Sequence, residues 1–213
     1  MPERPFEIVE RIVLCFDIRS SSNVIEDLTL TNHLGAMRDL LGGMKEYLRG
    51  ARRKVGYEMY KFMGDGWLLL FPLDIAGSDF FSFLSSFSDW FDSHWAEHIT
   101  PVLEKSIQVR GLTFGADSGR VLQTRMLNRR EYIGRPINIA CRLQGEAKKW
   151  ASRSCRRYTM GVSKHLLTTL RQSYVDFPGR ETTRSLRNIR GGEKYQCAFL
   201  HVPLPEERDT GQQ

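Results

Sequence analysis

The sequence has little of what would staple a fold or carry it into a membrane. Four cysteines stand at 15, 141, 155 and 197 of 213 residues. None forms a C-x-x-C pair and none lies near a histidine at zinc-ligand spacing, so buried free thiols are expected. Histidine is scarce, at five. His94 and His98 could share a metal across one helical turn, but no third ligand is near in sequence, and an exposed helix face is the expected reading. No run approaches the roughly 18 uncharged apolar residues of a membrane span. Met1 to Pro5 offers no apolar core like that of a signal peptide, so a cytoplasmic protein is expected. No internal repeat is visible, and no aromatic-interleaved nucleic-acid motif appears.

What is present supports one sizeable core. The chain is 41% hydrophobic and 26% charged, which fits a single domain over 1–203 with a flexible polar tail at 204–213. The net charge is +6. Basic residues gather at Arg49, Arg52, Arg53 and Lys54, at Arg129 and Arg130, and at Arg153, Arg156 and Arg157. Such clusters can attract a polyphosphate, bind nucleic acid or simply solvate a surface.

Hydrophobic periodicity gives the elements. Residues 8–16 read as a buried strand with Asp17 at its end. Ser20, Ser21 and Ser22 offer an N-cap for a helix over 24–49. Residues 57–71 read as a hairpin turning at Gly64-Asp65-Gly66. Residues 77–98 form an aromatic helix whose stripe is assigned to the core. Residues 106–124 read as two strands broken at 117–119. A helix follows over 135–150, then a short strand over 157–160. A helix capped by Ser163 ends at Leu170, 178–185 read as a loop, and 194–201 as the last strand. This order predicts an α/β (α+β) domain with a ferredoxin-like βαββαβ core, a mostly antiparallel sheet flanked by helices.

Fold alone assigns no function, but two carboxylates stand out. Asp17 ends the first strand and Asp65 sits in the hairpin turn. If strand and hairpin are neighbours the carboxylates converge, and converging carboxylates beside phosphate suit magnesium or manganese. Taken singly, Asp65 could be only a turn residue and Asp17 only a helix cap.

Four segments sharpen this. Phe16-Asp17-Ile18-Arg19 resembles the first metal-binding segment of class III adenylate and guanylate cyclases. Lys61-Phe62-Met63-Gly64-Asp65-Gly66 resembles their K-x-x-G-D segment. Gly115-Ala116-Asp117-Ser118-Gly119 is similar to their G-I-x-x-G segment, departing at Ala116. Tyr132 to Leu143 resembles their I-G-x-x-V-N-x-A-x-R-L helix start. Each match is weak alone; four in family order over roughly 8–200 form a specific signal.

The resemblance implies a nucleotidyl cyclase that converts a nucleoside triphosphate to a 3′,5′-cyclic nucleotide and pyrophosphate. Asp17 and Asp65, helped by the Ile18 carbonyl, would bind two divalent ions, Mn2+ or Mg2+. Phe16, Arg19, Ser20 and Ser21 would lie against the triphosphate, and Arg190 is the candidate for the family's late triphosphate-binding lysine. Asn138 would orient the ribose and Arg142 would stabilise charge on the α-phosphate. Lys61 and Glu131 would read the base. The family places its site between two subunits, so a homodimer is implied.

A lysine donor beside a carboxylate acceptor suits adenine and cytosine, whose exocyclic amine adjoins a bare ring nitrogen; uracil does not show this pattern, because its N3–H donates and its O4 accepts. Guanine is disfavoured, because guanylate members carry Glu where Lys61 stands. Glu131 replaces the usual Asp or Thr and reaches about 1.5 Å further, which favours a smaller ring. A short cyclase with no regulatory segment also resembles the pyrimidine cyclases of bacterial antiphage signalling (Pycsar). The expected product is therefore cCMP or cUMP, a second messenger for a separate effector, with activation from elsewhere. Adenylate cyclase is the alternative. An inactive cyclase-like nucleotide-binding module and a salt-sensitive nucleic-acid binder are the other classes.

Overall fold

The computed structural model describes residues 6–104, 110–154, 156–172 and 179–205. β1 (Phe6–Ile18) runs through the middle of an eight-stranded sheet. Its side chains alternate between faces, as strand geometry requires. Ile12, Leu14, Phe16 and Ile18 enter the main core, while Val13 and Cys15 enter a second cluster on the opposite face. Asp17 therefore emerges on the second face.

Two helices follow where the sequence predicted one: α1 (Ser21–Leu30) and α2 (Leu34–Val55). Leu30 and Leu34 carry the apolar spacing across the join although both side chains are exposed, so periodicity hid the break. Asn32 takes a left-handed conformation (φ 60°), which asparagine tolerates and a helix cannot contain. The hairpin of β2 (Glu58–Phe62) and β3 (Gly66–Pro72) pairs with β1 through β3. α3 (Gly77–His98) has the expected bounds, and Phe80, Phe87, Phe91 and Trp95 fill the core beneath it.

The predicted break at 117–119 is absent. β4 (Leu112–Met126) continues through it, paired residue by residue with β1 from Ile18↔Leu112 to Phe6↔Thr124. Pairing with β1 carries the strand through Ser118 and Gly119, and the glycine accommodates a φ of 149° there. The expected start of that segment, 106–109, lies outside the described residues. β5 (Arg129–Ile133) folds back on the far end of β4, a strand that its charge concealed.

α4 (Arg135–Ser154) crosses the second face of the sheet. It lies very close to β4, because a Cβ on Gly115 would stand 2.1 Å from the Ala140 carbonyl oxygen. Only glycine permits that approach. β6 (Thr159–Ser163) joins β4 in parallel and leads into α5 (Lys164–Arg171). The segment expected as a loop is a strand, β7 (Gly179–Arg184), pairing with β8 (Tyr195–His201). β7 is a polar edge strand, for which apolar alternation is no guide. The sheet order is β2-β3-β1-β4-β6-β8-β7, with β5 on β4, and all pairings except β4–β6 are antiparallel. Pro203 accepts a 2.6 Å hydrogen bond from Ser85, and Leu204 packs on the core. Most of the expected tail, 206–213, lies outside the described residues.

Candidate active site

Sheet register brings the two carboxylates together. Asp17 on β1 stands opposite Gly66, the first residue of β3, and Asp65 immediately precedes it. The Ile18 N–H donates to the Asp65 carbonyl oxygen at 3.3 Å, tying the hairpin turn to the end of β1. Gly66 makes the approach possible: a Cβ there would lie 1.8 Å from the Phe16 carbonyl oxygen.

Asp17 is largely buried, and α4 holds one of its oxygens. Lys148 Nζ donates to Oδ2 at 3.1 Å, and Gln144 Nε2 reaches the same atom at 3.5 Å. Gln144 also donates to Thr113 Oγ1 at 2.6 Å. The other oxygen, Oδ1, is buried with no donor on it. Burial, and then the neighbouring Asp65 carboxyl, push the Asp17 carboxyl up to about 7, while Lys148 opposes the rise. Two carboxyls crowded in this way favour a shared proton or a cation.

A divalent ion fits these donors. The buried Oδ1 lacks a partner, and both side chains are hard oxygen ligands of the kind magnesium and manganese take. No three His, Cys, Asp or Glu side chains gather as a metal cage among the described residues. The pair would thus need backbone and ligand oxygens to complete a coordination shell. His94 and His98 form no such site either; His94 stacks on Trp90 at 4.0 Å. Cys15, Cys141 and Cys197 are free thiols, while Cys155 lies outside the described residues.

The turn after β1 leads directly into α1. Ser20 is left-handed (φ 57°) and precedes the helix, whose first-turn N–H groups form an electropositive end beside the two aspartates. Phe16 and Ile18 have their side chains in the core, so only their backbone can meet a ligand. Arg19 is buried and its guanidinium donates to the Arg156 carbonyl, so that side chain is engaged within the fold. Ser20 is half-buried and Ser21 buried.

Asn138 and Arg142 are exposed and share one face of α4. At roughly 100° per residue that face lies more than a quarter-turn from the Gln144–Lys148 face. These two side chains therefore point away from the Asp17 of their own chain. Arg190 is exposed in the β7–β8 connection, where its carbonyl accepts from Arg135 at 3.3 Å.

Lys61 is exposed on β2, just past an irregularity in the β2–β3 ladder. Glu131 on β5 accepts a 2.6 Å hydrogen bond from the Tyr60 hydroxyl. Tyr60 in turn accepts from the Tyr132 N–H at 3.1 Å. Burial first, then the Glu131 bond, raise the Tyr60 hydroxyl above its ordinary range. Arg130 pairs with Glu58 at 3.2 Å. Gln144, Lys148, Thr113 and Tyr60 escaped sequence reasoning. Spacing marks Gln144 and Lys148 as one helix face, but nothing local says that the face meets Asp17.

No protein-family profile matches the sequence, and no curated protein matches it. Solved structures do. The chain is similar to the adenylyl cyclase CyaB from P. aeruginosa, with 16% identity, a TM-score of 0.68, and coverage of 92% of this chain and 95% of that one. It is similar to the guanylyl cyclase Cya2, with 15% identity, a TM-score of 0.66, and coverage of 94% and 95%. The guanylate cyclase domain of RhGC from Catenaria anguillulae in complex with GTP matches with 13% identity, a TM-score of 0.61, and coverage of 91% and 97%. The fold is that of adenylyl and guanylyl cyclase catalytic domains. Among the described residues, no helix is long and apolar enough to cross a membrane.

Proposed function

We propose that the protein is a nucleotidyl cyclase, acting on a nucleoside triphosphate as a homodimer with its sites between subunits. The observation that carries this is the convergence of Asp17 and Asp65 with a buried carboxylate oxygen left unpaired. The fold and the GTP bound to one of its structural neighbours also support a nucleotide substrate.

Asp17 and Asp65 hold the divalent ions, Mn2+ or Mg2+, with the Ile18 carbonyl. Ions held there would supply the acidity that activates the ribose 3′-hydroxyl and the positive charge that offsets the departing pyrophosphate. Phe16 to Ser21 lie against the triphosphate and lead into the first turn of α1, whose N–H groups donate to it, with Arg190 as a further cation. Asn138 orients the ribose. The 3′-oxygen loses its proton and bonds to the α-phosphorus, and the bond to the pyrophosphate oxygen breaks. Arg142 meets the charge that grows on the α-phosphate oxygens.

Asn138 and Arg142 come from the second subunit, because they face away from their own Asp17. The exposed apolar side chains of Phe62 and Met63 beside Asp65, and of Met126, Leu127 and Ile133 on the β4–β5 arm, are suited to cover by a second copy.

Lys61 and Glu131 read the base, with Tyr60 fixing the carboxylate. The longer Glu131 arm favours a pyrimidine, so the product is cCMP or cUMP, a messenger for a separate effector in antiphage defence. Adenylate cyclase is the second reading, since the same donor–acceptor pair fits N6 and N1 of adenine.

The test is to incubate the purified protein with all four nucleoside triphosphates and Mn2+, and to identify products by mass spectrometry, with Asp65→Ala as control. A cyclic pyrimidine nucleotide that the variant cannot make is expected. Cyclic AMP would move the base to adenine and keep the mechanism. No cyclic product under any condition would defeat the enzyme reading in favour of an inactive nucleotide-binding module.

A further inference from the structure

Among the described residues, Lys148 carries the ion pair to Asp17, and the mechanism above gives it no task. It stands one turn beyond Gln144 on α4, and both side chains converge on Asp17 Oδ2. The two oxygens of this carboxylate are therefore unequal. Oδ2 is engaged by a cation of its own chain, while Oδ1 is buried and open. A carboxylate that is to offer both of its oxygens to divalent ions must first release Oδ2 from Lys148.

The two partners also differ in how they meet water. The Lys148 side chain is 44% exposed and that of Asp17 is 22% exposed. Lysine is a compact charge on a flexible stem, so it can leave for solvent without stranding a buried cation. Asp17 cannot leave, because its strand is paired on both sides. Gln144 stays as well, fixed by its 2.6 Å bond to Thr113. The mobile member of the cluster is thus the cation.

We propose that Lys148 is the resident cation of the metal site: it occupies Asp17 Oδ2 while no divalent ion is bound and yields that oxygen as the ions load. It thereby sets the ion concentration at which the site fills. This rests on the two-metal reading above and adds a regulator to it. With Lys148 in place, the two carboxylates and one ammonium present a formal charge of about −1 to an arriving dication; without it they present about −2. An incoming ion must also displace an ion pair, and a partly exposed pair has modest strength. Removing the lysine charge is therefore expected to tighten ion binding about five- to tenfold. Loss of structure would act in the opposite direction.

The experiment is a Mn2+ titration of the full chain at about pH 8.5, reading free Mn2+ by electron paramagnetic resonance. Wild type is compared with Lys148→Met, Lys148→Arg and Asp65→Ala. Lys149→Met serves as a control, because Lys149 pairs with Glu146 at 2.6 Å. The expected result is an Asp65-dependent binding step whose midpoint falls about five- to tenfold in Lys148→Met. Lys148→Arg and Lys149→Met are expected to stay near wild type. An unchanged or raised midpoint in Lys148→Met, with Asp65-dependent binding intact in wild type, would overturn the role of Lys148 alone. Absence of any Asp65-dependent binding in wild type would overturn the two-metal reading, and this inference with it.

Discussion

Ile18 and Asp65 are joined by a backbone hydrogen bond of 3.3 Å between the end of β1 and the turn of the β2–β3 hairpin. That bond and the Asp17↔Gly66 register put two carboxylates from distant parts of the chain side by side. The arrangement depends on backbone proximity, so it is sensitive to a single added carbon.

Gly66→Ala tests that dependence. The new Cβ would fall 1.8 Å from the Phe16 carbonyl oxygen, which is backbone and has no rotamer to change. The strands must separate at the site, with a loss of about 3 kcal/mol or more. Urea unfolding is expected to show a lower midpoint with an unchanged slope.

Asp17 makes the metal-free protein sensitive to pH. Its carboxyl is raised from 3.8 to about 7, so over that interval the folded state binds more protons than the unfolded state. The protonated form stabilises the fold fully below about 3.8, and that contribution is lost as pH rises through about 7. In chelator, Asp17→Asn is expected to melt a few degrees above wild type at about pH 8, with the gap closing near pH 4. Added Mn2+ has the opposite dependence, raising the wild-type melting temperature above about pH 7 and far less below it, because the ion needs the ionised carboxylate. Differential scanning fluorimetry across pH, with and without Mn2+, checks both.

Arg142→Ala and Asp65→Ala should each lower the proposed cyclase activity by about 10²–10³. Arg142 is exposed, so its removal should leave the melting temperature unchanged. If the site lies between subunits, mixing the two inactive proteins restores activity. A mixed dimer would hold one intact site, giving up to about a quarter of the wild-type rate after random exchange. A mixture that stays inactive, despite demonstrated subunit exchange, would show that the site is not shared.

Tyr60→Phe removes the 2.6 Å hydrogen bond to Glu131 and keeps the ring, which packs edge-on to Tyr132. In the proposed base-reading role, a Glu131 carboxylate freed to swing would hold the base less well, at a cost of about 1 kcal/mol. KM for the preferred triphosphate is expected to rise about fivefold, with a smaller change in kcat. Steady-state rates over the four triphosphates check it, and an unchanged KM would remove Tyr60 from base recognition.

Much of the architecture was legible because it is written locally. Alternation in β1 follows from the two-residue period of a strand, and the aromatic stripe of α3 from the turn of a helix. Errors arose where local signals were silent or misleading. The left-handed Asn32 splits a continuous apolar stripe. β7 has no apolar face to announce it, and β4 runs through a Ser-Gly pair because β1 pairs with it throughout and Gly119 accommodates a positive φ.

The sequence by itself determined the types of most elements and the four segments that resemble those of class III cyclases, because side-chain chemistry and spacing are local properties. Only the tertiary structure decided how those segments face one another. Gly115 lets α4 settle onto β4 with Gln144 and Lys148 over Asp17, which leaves Asn138 and Arg142 outward. A helix carries every face in its sequence, and the one that meets the sheet is chosen by contacts between residues far apart in the chain.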